Sequence, residues 1–160
     1  MLTLQHSIEI NTTVEKLYDW FMNLDKNFTK WHPNHTKFVK LTGGFNDGDV
    51  IRFEEKIDEK WFKFNFKIAK IERSENGWSV EAKAPGCTII LKAEKKGDKA
   101  VFSHIETFGL IKSQNPFIRK IVVPFIFKMI NPIYRFDLIE KDIIEDNFRL
   151  KEIFESENPG

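Results

Sequence analysis

The order of hydrophobic and polar residues predicts a strand and two short helices at the start of the chain. Residues 2–10 alternate apolar and polar side chains, the period of a strand with one buried face. Thr12-Thr13-Val14-Glu15 has the capping-box pattern, with Thr12 bonding the Glu15 amide, and apolar residues follow at helical spacing. A second helical segment is expected over 23–31, before Pro33.

Six further strands are predicted, separated by turn signals such as Asn76-Gly77 and Pro85-Gly86. They form an antiparallel meander in which Phe62, Phe64 and Phe66 alternate with polar residues, so one face of the sheet is apolar and needs a cover. The predicted runs are 37–42, 49–57, 60–73, 78–84, 87–95 and 100–109.

The C-terminal segment predicts the helix that covers this sheet, after a stretch that Pro124 and Pro132 divide. Residues 133–154 place apolar side chains on one side at a spacing of three to four. A helical wheel puts Glu140 and Asn147 beside that stripe, so Glu140 is expected to face the interior. Three further acids are expected on the outer face, namely Asp142, Glu145 and Glu152.

Composition limits the classes of function. The chain has 160 residues, 41% of them hydrophobic and 16 of them Phe, which predicts one domain over 1–160 with an aromatic core. A net charge of +1 without a basic cluster argues against nucleic acid. A single cysteine, Cys87, and an N-terminus without a signal-like segment predict a cytoplasmic protein. The apolar run 117–133 is too interrupted for a transmembrane segment, and no feature indicates an oligomeric state.

His32 and His35 are the strongest candidates for chemistry, because imidazole and carboxylate are the usual ligands of a catalytic zinc. The alternative is a turn in which both rings cap backbone groups. Strand parity places Glu55 on the face of its apolar neighbours and Glu54 on the other face. Glu55 is therefore the better carboxylate ligand, unless the strand bulges and leaves it at a solvated edge.

The order of strand, two helices, six strands and a long helix resembles the START/SRPBCC superfamily over essentially the whole chain. The resemblance implies an α+β helix-grip fold, with a curved seven-stranded antiparallel sheet around the C-terminal helix. It also implies an apolar cavity for a hydrophobic small molecule, such as a lipid, polyketide or hormone. Phe62, Phe64 and Phe66 are expected to line that cavity, with plain core packing as the alternative.

Within the superfamily, 31–35 followed by 48–55 resembles the zinc-dependent hydrolase of diacetylphloroglucinol. That family is described as binding zinc through two histidines and two glutamates and cleaving a bond between an aromatic ring and an acyl group. By resemblance, His32 or His35 matches its first ligand, and Glu54 or Glu55 its first carboxylate. The family's C-terminal helix carries a histidine and a glutamate, whereas here no histidine follows His104.

Two classes of function follow. The first is a metal-assisted hydrolase of a ketone- or ester-bearing hydrophobic molecule, in which His32, His35 and Glu55 hold zinc. Glu54 or Glu140 would be the fourth ligand or the proton carrier, and the strand histidines His6 and His104 are substitute ligands. The second is a non-enzymatic carrier or sensor of a hydrophobic ligand. A protein that acts like a polyketide cyclase is a further alternative, intermediate between these two classes. In either class, the polar cavity residues expected to meet the ligand are His104 and Asn147.

Overall fold

The computed structural model describes residues 2–109, 116, 118–122, 125 and 135–156. The strands lie within two residues of the runs that the sequence predicts, so the meander is confirmed. Residues 133–134, Pro124, Pro132 and most of the run 117–133 lie outside the described residues. The elements are β1 Leu2–Ile10, α1 Val14–Met22, α2 Leu24–Trp31, β2 His35–Lys40, β3 Val50–Ile57, β4 Lys60–Ser74, β5 Gly77–Ala84, β6 Cys87–Lys96, β7 Lys99–Phe108, a π-helical turn Ile118–Val122 and α3 Phe136–Ser156.

The seven strands form one antiparallel sheet in the order β1-β7-β6-β5-β4-β3-β2. Helix α3 packs on this sheet and contacts β1, β7 and β3. Its apolar stripe is buried through Phe136, Ile143, Leu150 and Phe154, as the helical spacing predicts. The chain therefore has the α+β helix-grip architecture, with the space between the sheet and α3 available for a site.

Helices α1 and α2 close one end of this space with an aromatic core. The side chain of Thr13 caps α1 by accepting a hydrogen bond from the Lys16 amide, so the predicted capping box at Thr12 is wrong by one residue. Thr12 is instead buried, and its amide donates to the Ile10 carbonyl in the turn that leaves β1. The helices bury Leu17 and Phe21 from α1, and Leu24, Phe28 and Trp31 from α2.

A tight turn at Pro85-Gly86 joins β5 to β6 beside the space under α3. Ala84 and Cys87 are paired across the hairpin, so the turn has two residues at its tip. Gly86 has a φ of +76°, a left-handed conformation that glycine adopts without the steric cost of a Cβ. Among the described residues, no helix is both long and apolar enough to cross a bilayer.

Candidate metal centre

A cavity of about 230 Å³ lies between the sheet and α3. Phe62, Phe64 and Phe66 of β4 line it, as the alternation of that strand predicts, and Cys87 adds a thiol to the wall. A smaller cavity of about 70 Å³ lies toward α2 and is lined by Phe28 and other apolar residues. Four polar residues line both cavities and stand at their boundary: Glu55, His104, Glu106 and Asp146.

His35 is fixed in one orientation at this boundary. A register shift in β2 after His35 leaves it directly opposite Glu55 on β3. Its Nδ1 donates a hydrogen bond to the Phe28 carbonyl at 3.1 Å, which leaves Nε2 as the nitrogen with the free lone pair. That Nε2 is 3.4 Å from Asp146 Oδ1 and 3.7 Å from Glu55 Oε1, and no described residue hydrogen-bonds to it.

Two acids of α3, Asp142 and Asp146, complete a group with His35. One ligand atom from each of the three residues lies within 4.8 Å of the others, and all three residues are buried. The two acids are one helical turn apart, so their side chains project from the same face of α3. A divalent cation fits this donor set, because a basic nitrogen and a carboxylate oxygen without hydrogen bonds face each other inside the protein.

The segment before His35 holds these acids in place. The Trp31 indole N–H donates to the backbone carbonyl of Asp146 at 2.8 Å, and the side-chain Nδ2 of Asn34 donates to Asp142 Oδ1 at 2.6 Å. Each bond joins the segment to the turn of α3 that carries the two acids. The Trp-His-Pro-Asn-His segment thus orients the Asp142 carboxylate and holds the backbone of α3 at Asp146, as well as supplying an imidazole.

The prediction that Asp142 lies on the outer face of α3 is wrong, since its side chain is buried. The wheel assumed that only the sheet covers the helix, whereas the 31–35 segment also packs on the flank that carries Asp142. Glu140, expected to face the interior, is exposed on the opposite flank. The structure therefore does not bring Glu140 into the cavity.

His32 is buried beside the group but does not belong to it. Its Nδ1 accepts a hydrogen bond from the backbone N–H of Asn34 at 3.0 Å, and its Nε2 is 3.4 Å from Glu145 Oε2. Both ring nitrogens therefore already have protein partners. His32 ties the segment to α3 instead of presenting a free lone pair to an ion.

The side chains of the two adjacent glutamates of β3 lie on opposite faces of the sheet, as the alternation of a strand predicts. Glu54 points away from the cavity and pairs with Lys63 at 3.0 Å, whereas Glu55 lines it. Burial, followed by the charges of Asp146, Asp142 and Glu106, raises the pKa of Glu55 well above its usual value. Burial, followed by the charge of Asp142, likewise raises the pKa of Asp146. The acids therefore disfavour each other's ionised forms in the absence of a counter-charge.

His104 is buried and lines both cavities. Its Nε2 donates to Glu106 Oε1 at 3.1 Å, while its Nδ1 is 3.9 Å from Asp146 Oδ2. Burial acts to lower the pKa of His104, but the bond to Glu106 and the nearby acid charges outweigh it, so the pKa is raised. Glu106 lines both cavities beside it.

Asn147 is fully buried but does not line either of the two cavities. Its Nδ2 donates to the His6 carbonyl and to His6 Nδ1, at 3.0 and 2.9 Å, so it joins α3 to β1.

The residue that sequence reasoning missed is Asp146. The signal was its place in the apolar stripe, three residues after Ile143 and four before Leu150.

No protein-family model matches the chain, and no curated protein matches it. Solved structures share its fold. Major latex-like protein 151 from Panax ginseng is 10% identical with a TM-score of 0.65, over 96% of this chain and 97% of that protein. A START superfamily protein from Mycobacterium smegmatis is 12% identical with a TM-score of 0.61, over the same 96% and 97%.

A polyketide cyclase-like protein from Corynebacterium glutamicum is 17% identical with a TM-score of 0.57, over 97% of this chain and 92% of that protein. Identities this low establish the fold alone. The chain accordingly has the helix-grip fold of START-like and polyketide cyclase-like proteins.

Proposed function

We propose that the protein is a metal-dependent hydrolase of a small hydrophobic molecule that carries a ketone or ester group. The observation that carries this proposal is the unpartnered Nε2 of His35, which faces Asp146 and Glu55 inside the protein. A base with a free lone pair opposite buried acids calls for a cation.

The ligand set we propose is His35, Asp142 and Asp146, with Glu55 as the fourth donor. His35 presents Nε2 because the Phe28 carbonyl holds the proton of Nδ1. The set differs from the one expected from sequence, which used His32 in place of the two aspartates. Imidazole with several carboxylates suits zinc, and manganese is the other metal that this set favours.

The larger cavity would bind the substrate. Its volume of about 230 Å³ is below the roughly 300–1,000 Å³ of drug-sized pockets, so the substrate is a small molecule. The phenylalanines of β4 would hold its apolar body and exclude water, and the carbonyl end would then lie at the acids. This placement puts the reacting carbon next to the donor group.

Hydrolysis adds water across the bond, so the acyl carbon takes the hydroxyl group and the departing atom takes a proton. A bound divalent cation supplies charge that polarises a carbonyl and acidifies water. Glu106 is the cavity carboxylate outside the proposed ligand set, and it would hold the proton that the departing atom receives. Asn34 and Trp31 would keep the two aspartates in position during the reaction.

A hydrophobic-ligand carrier is the second candidate, favoured by the Phe-lined cavity and by the START superfamily protein that shares the fold. In a carrier the acids would only orient the polar end of the ligand. Metal content therefore separates the two candidates.

The test is metal analysis of protein purified without a tag or chelator, followed by assays of aryl ketones and esters. We expect bound zinc or manganese in the wild type, and loss of both metal and turnover in His35→Gln and Asp146→Asn. Glu152→Gln is the matched control, because Glu152 is exposed on the same helix. Negligible metal in the wild type, with unimpaired binding of hydrophobic ligands, would refute the hydrolase and leave the carrier.

A further inference from the structure

His104 repeats the arrangement of His35 on the other side of Asp146. In each ring one nitrogen is held by a protein oxygen, the Phe28 carbonyl for His35 and the Glu106 carboxylate for His104. In each ring the other nitrogen has no hydrogen-bond partner among the described residues. The two free nitrogens face different oxygens of the same carboxylate, Oδ1 for His35 and Oδ2 for His104.

The separations are close to those that shared ions require. Two donors bound to one zinc at a tetrahedral angle lie about 3.3 Å apart, given metal–ligand distances of roughly 2.0–2.1 Å. His35 Nε2 and Asp146 Oδ1 are 3.4 Å apart. His104 Nδ1 and Asp146 Oδ2 are 3.9 Å apart, about 0.6 Å wider than that ideal, a difference that a small rotation of the carboxylate closes.

His104 does not join the group of His35, Asp142 and Asp146, whose ligand atoms lie within 4.8 Å of one another. It is nevertheless only 6% exposed, and its free nitrogen is aimed at that group. One ion at His35 would therefore leave the buried Nδ1 of His104 without a partner among the described residues.

The cluster holds more carboxylates than one ion uses. Glu55, Glu106, Asp142 and Asp146 all line the larger cavity. An ion that takes Glu55, Asp142 and one oxygen of Asp146 leaves Glu106 and the other oxygen of Asp146 outside its donor set.

We infer that the centre is dinuclear, with Asp146 bridging one divalent ion at His35 and a second at His104. The inference rests on the proposed function, because the second ion shares Asp146 with the first. Carboxylate-bridged pairs of this kind have their ions roughly 3.5–4 Å apart and hold both the attacking and the departing oxygen of a substrate. The second ion has fewer protein ligands than the first, so it binds more weakly and keeps more positions open toward the cavity.

The test is titration of metal-free protein with Zn²⁺ by calorimetry, with metal counted after removal of excess ion. We expect two binding events in the wild type and one in His104→Gln, with at least a tenfold loss of affinity for the second ion. Asp146→Asn should weaken both events. His6→Gln is the matched control, because His6 lies opposite His104 in the β1–β7 pairing but bonds to Asn147 instead of the acids, and it should retain both events.

The outcomes separate this inference from the proposed function. One event in the wild type that persists in His104→Gln overturns the dinuclear centre and leaves the hydrolase standing. No event in the wild type overturns both. Two events that both survive in His104→Gln place the second ion elsewhere and also overturn the inference.

A measurement on the wild type alone covers the case in which His104→Gln does not fold. Protein loaded with two equivalents of Mn²⁺ should give the electron paramagnetic resonance spectrum of a spin-coupled pair, because the two ions share one carboxylate. The hyperfine pattern of isolated ions at this loading would refute the bridge.

Discussion

The substitution Asp146→Asn should have opposite effects on stability with and without metal. Asp146 is buried, its Oδ1 has no hydrogen-bond partner among the described residues, and burial and Asp142 raise its pKa. The asparagine removes the charge and offers an N–H to the free Nε2 of His35, 3.4 Å from the present Oδ1. Relief of an unsatisfied buried group is worth about 1–3 kcal/mol, so the metal-free variant should be the more stable protein.

The pH dependence of this difference follows from the sign of the pKa shift. A carboxyl whose pKa is higher in the folded state than its unfolded value of about 3.9 holds its proton better when folded. The contribution of Asp146 to the stability of the metal-free wild type should therefore fall as pH rises above that unfolded value. The difference between variant and wild type should vanish near pH 3.9 and grow toward neutral pH.

Saturating metal should reverse the order. Ligand at about 1,000 times its dissociation constant stabilises the native state by roughly 4.1 kcal/mol, and the wild type alone would receive this gain. Urea unfolding with a chelator and with excess Zn²⁺, across a pH series, measures each quantity. If the metal-free variant is less stable than the wild type at every pH, the carboxylate is satisfied by the protein and the argument for a cation fails.

Three further predictions concern the cavity and His35. Phe66→Ala should cost about 3–5 kcal/mol in urea unfolding, because the ring is buried and stacks on Phe53 with centroids 5.1 Å apart. Phe64→Ala should cost much less, since Phe64 is 41% exposed, and equal costs would contradict the packing described. Burial lowers the pKa of His35 to about 4, so below pH ~6.5 the unfolded state takes up the proton first. His35 alone should therefore make the metal-free protein lose stability from about pH 6.5 to 4, opposite in sign to the contribution of Asp146. Thermal melts of His35→Gln should lack that contribution, and stability profiles parallel to those of the wild type would be contrary evidence. Burial, followed by the charge of Glu106, raises the pKa of the Cys87 thiol to about 12. At pH 8 iodoacetamide should therefore alkylate Cys87 at least about tenfold more slowly in the folded protein than in the unfolded chain. Equal alkylation rates would show an accessible thiolate.

The sheet could be predicted from sequence because each strand carries its own local signals. The turn at Pro85-Gly86 is set by two adjacent residues, and the alternation of Phe62, Phe64 and Phe66 needs only the period of a strand. Parity also separated Glu55 from Glu54 correctly. Turns and the alternation of a strand depend on residues that are adjacent in the chain, so the sequence alone is enough to predict them.

The ligand set could not be read in the same way. Spacing made His32 and His35 look equivalent, whereas the two differ in what their second nitrogen meets: the Phe28 carbonyl holds His35, and Asn34 with Glu145 occupies His32. Those partners come from α2, a loop and α3. Sequence spacing contains no information about which partner reaches which nitrogen.

By itself, the sequence determined the order of the elements, the apolar faces of β4 and α3, and the inward direction of Glu55. Only the tertiary structure decided that Asp142 is buried, because the 31–35 segment packs on a flank of α3 that a helical wheel leaves open to solvent. The packing of α3 on the sheet likewise placed His104 of β7 beside Asp146, although β7 and the β2 strand of His35 are not neighbours in the sheet. Periodicity determines which face of its own helix or strand a side chain occupies. The charge environment of a site depends instead on which helices, strands and loops pack against each other.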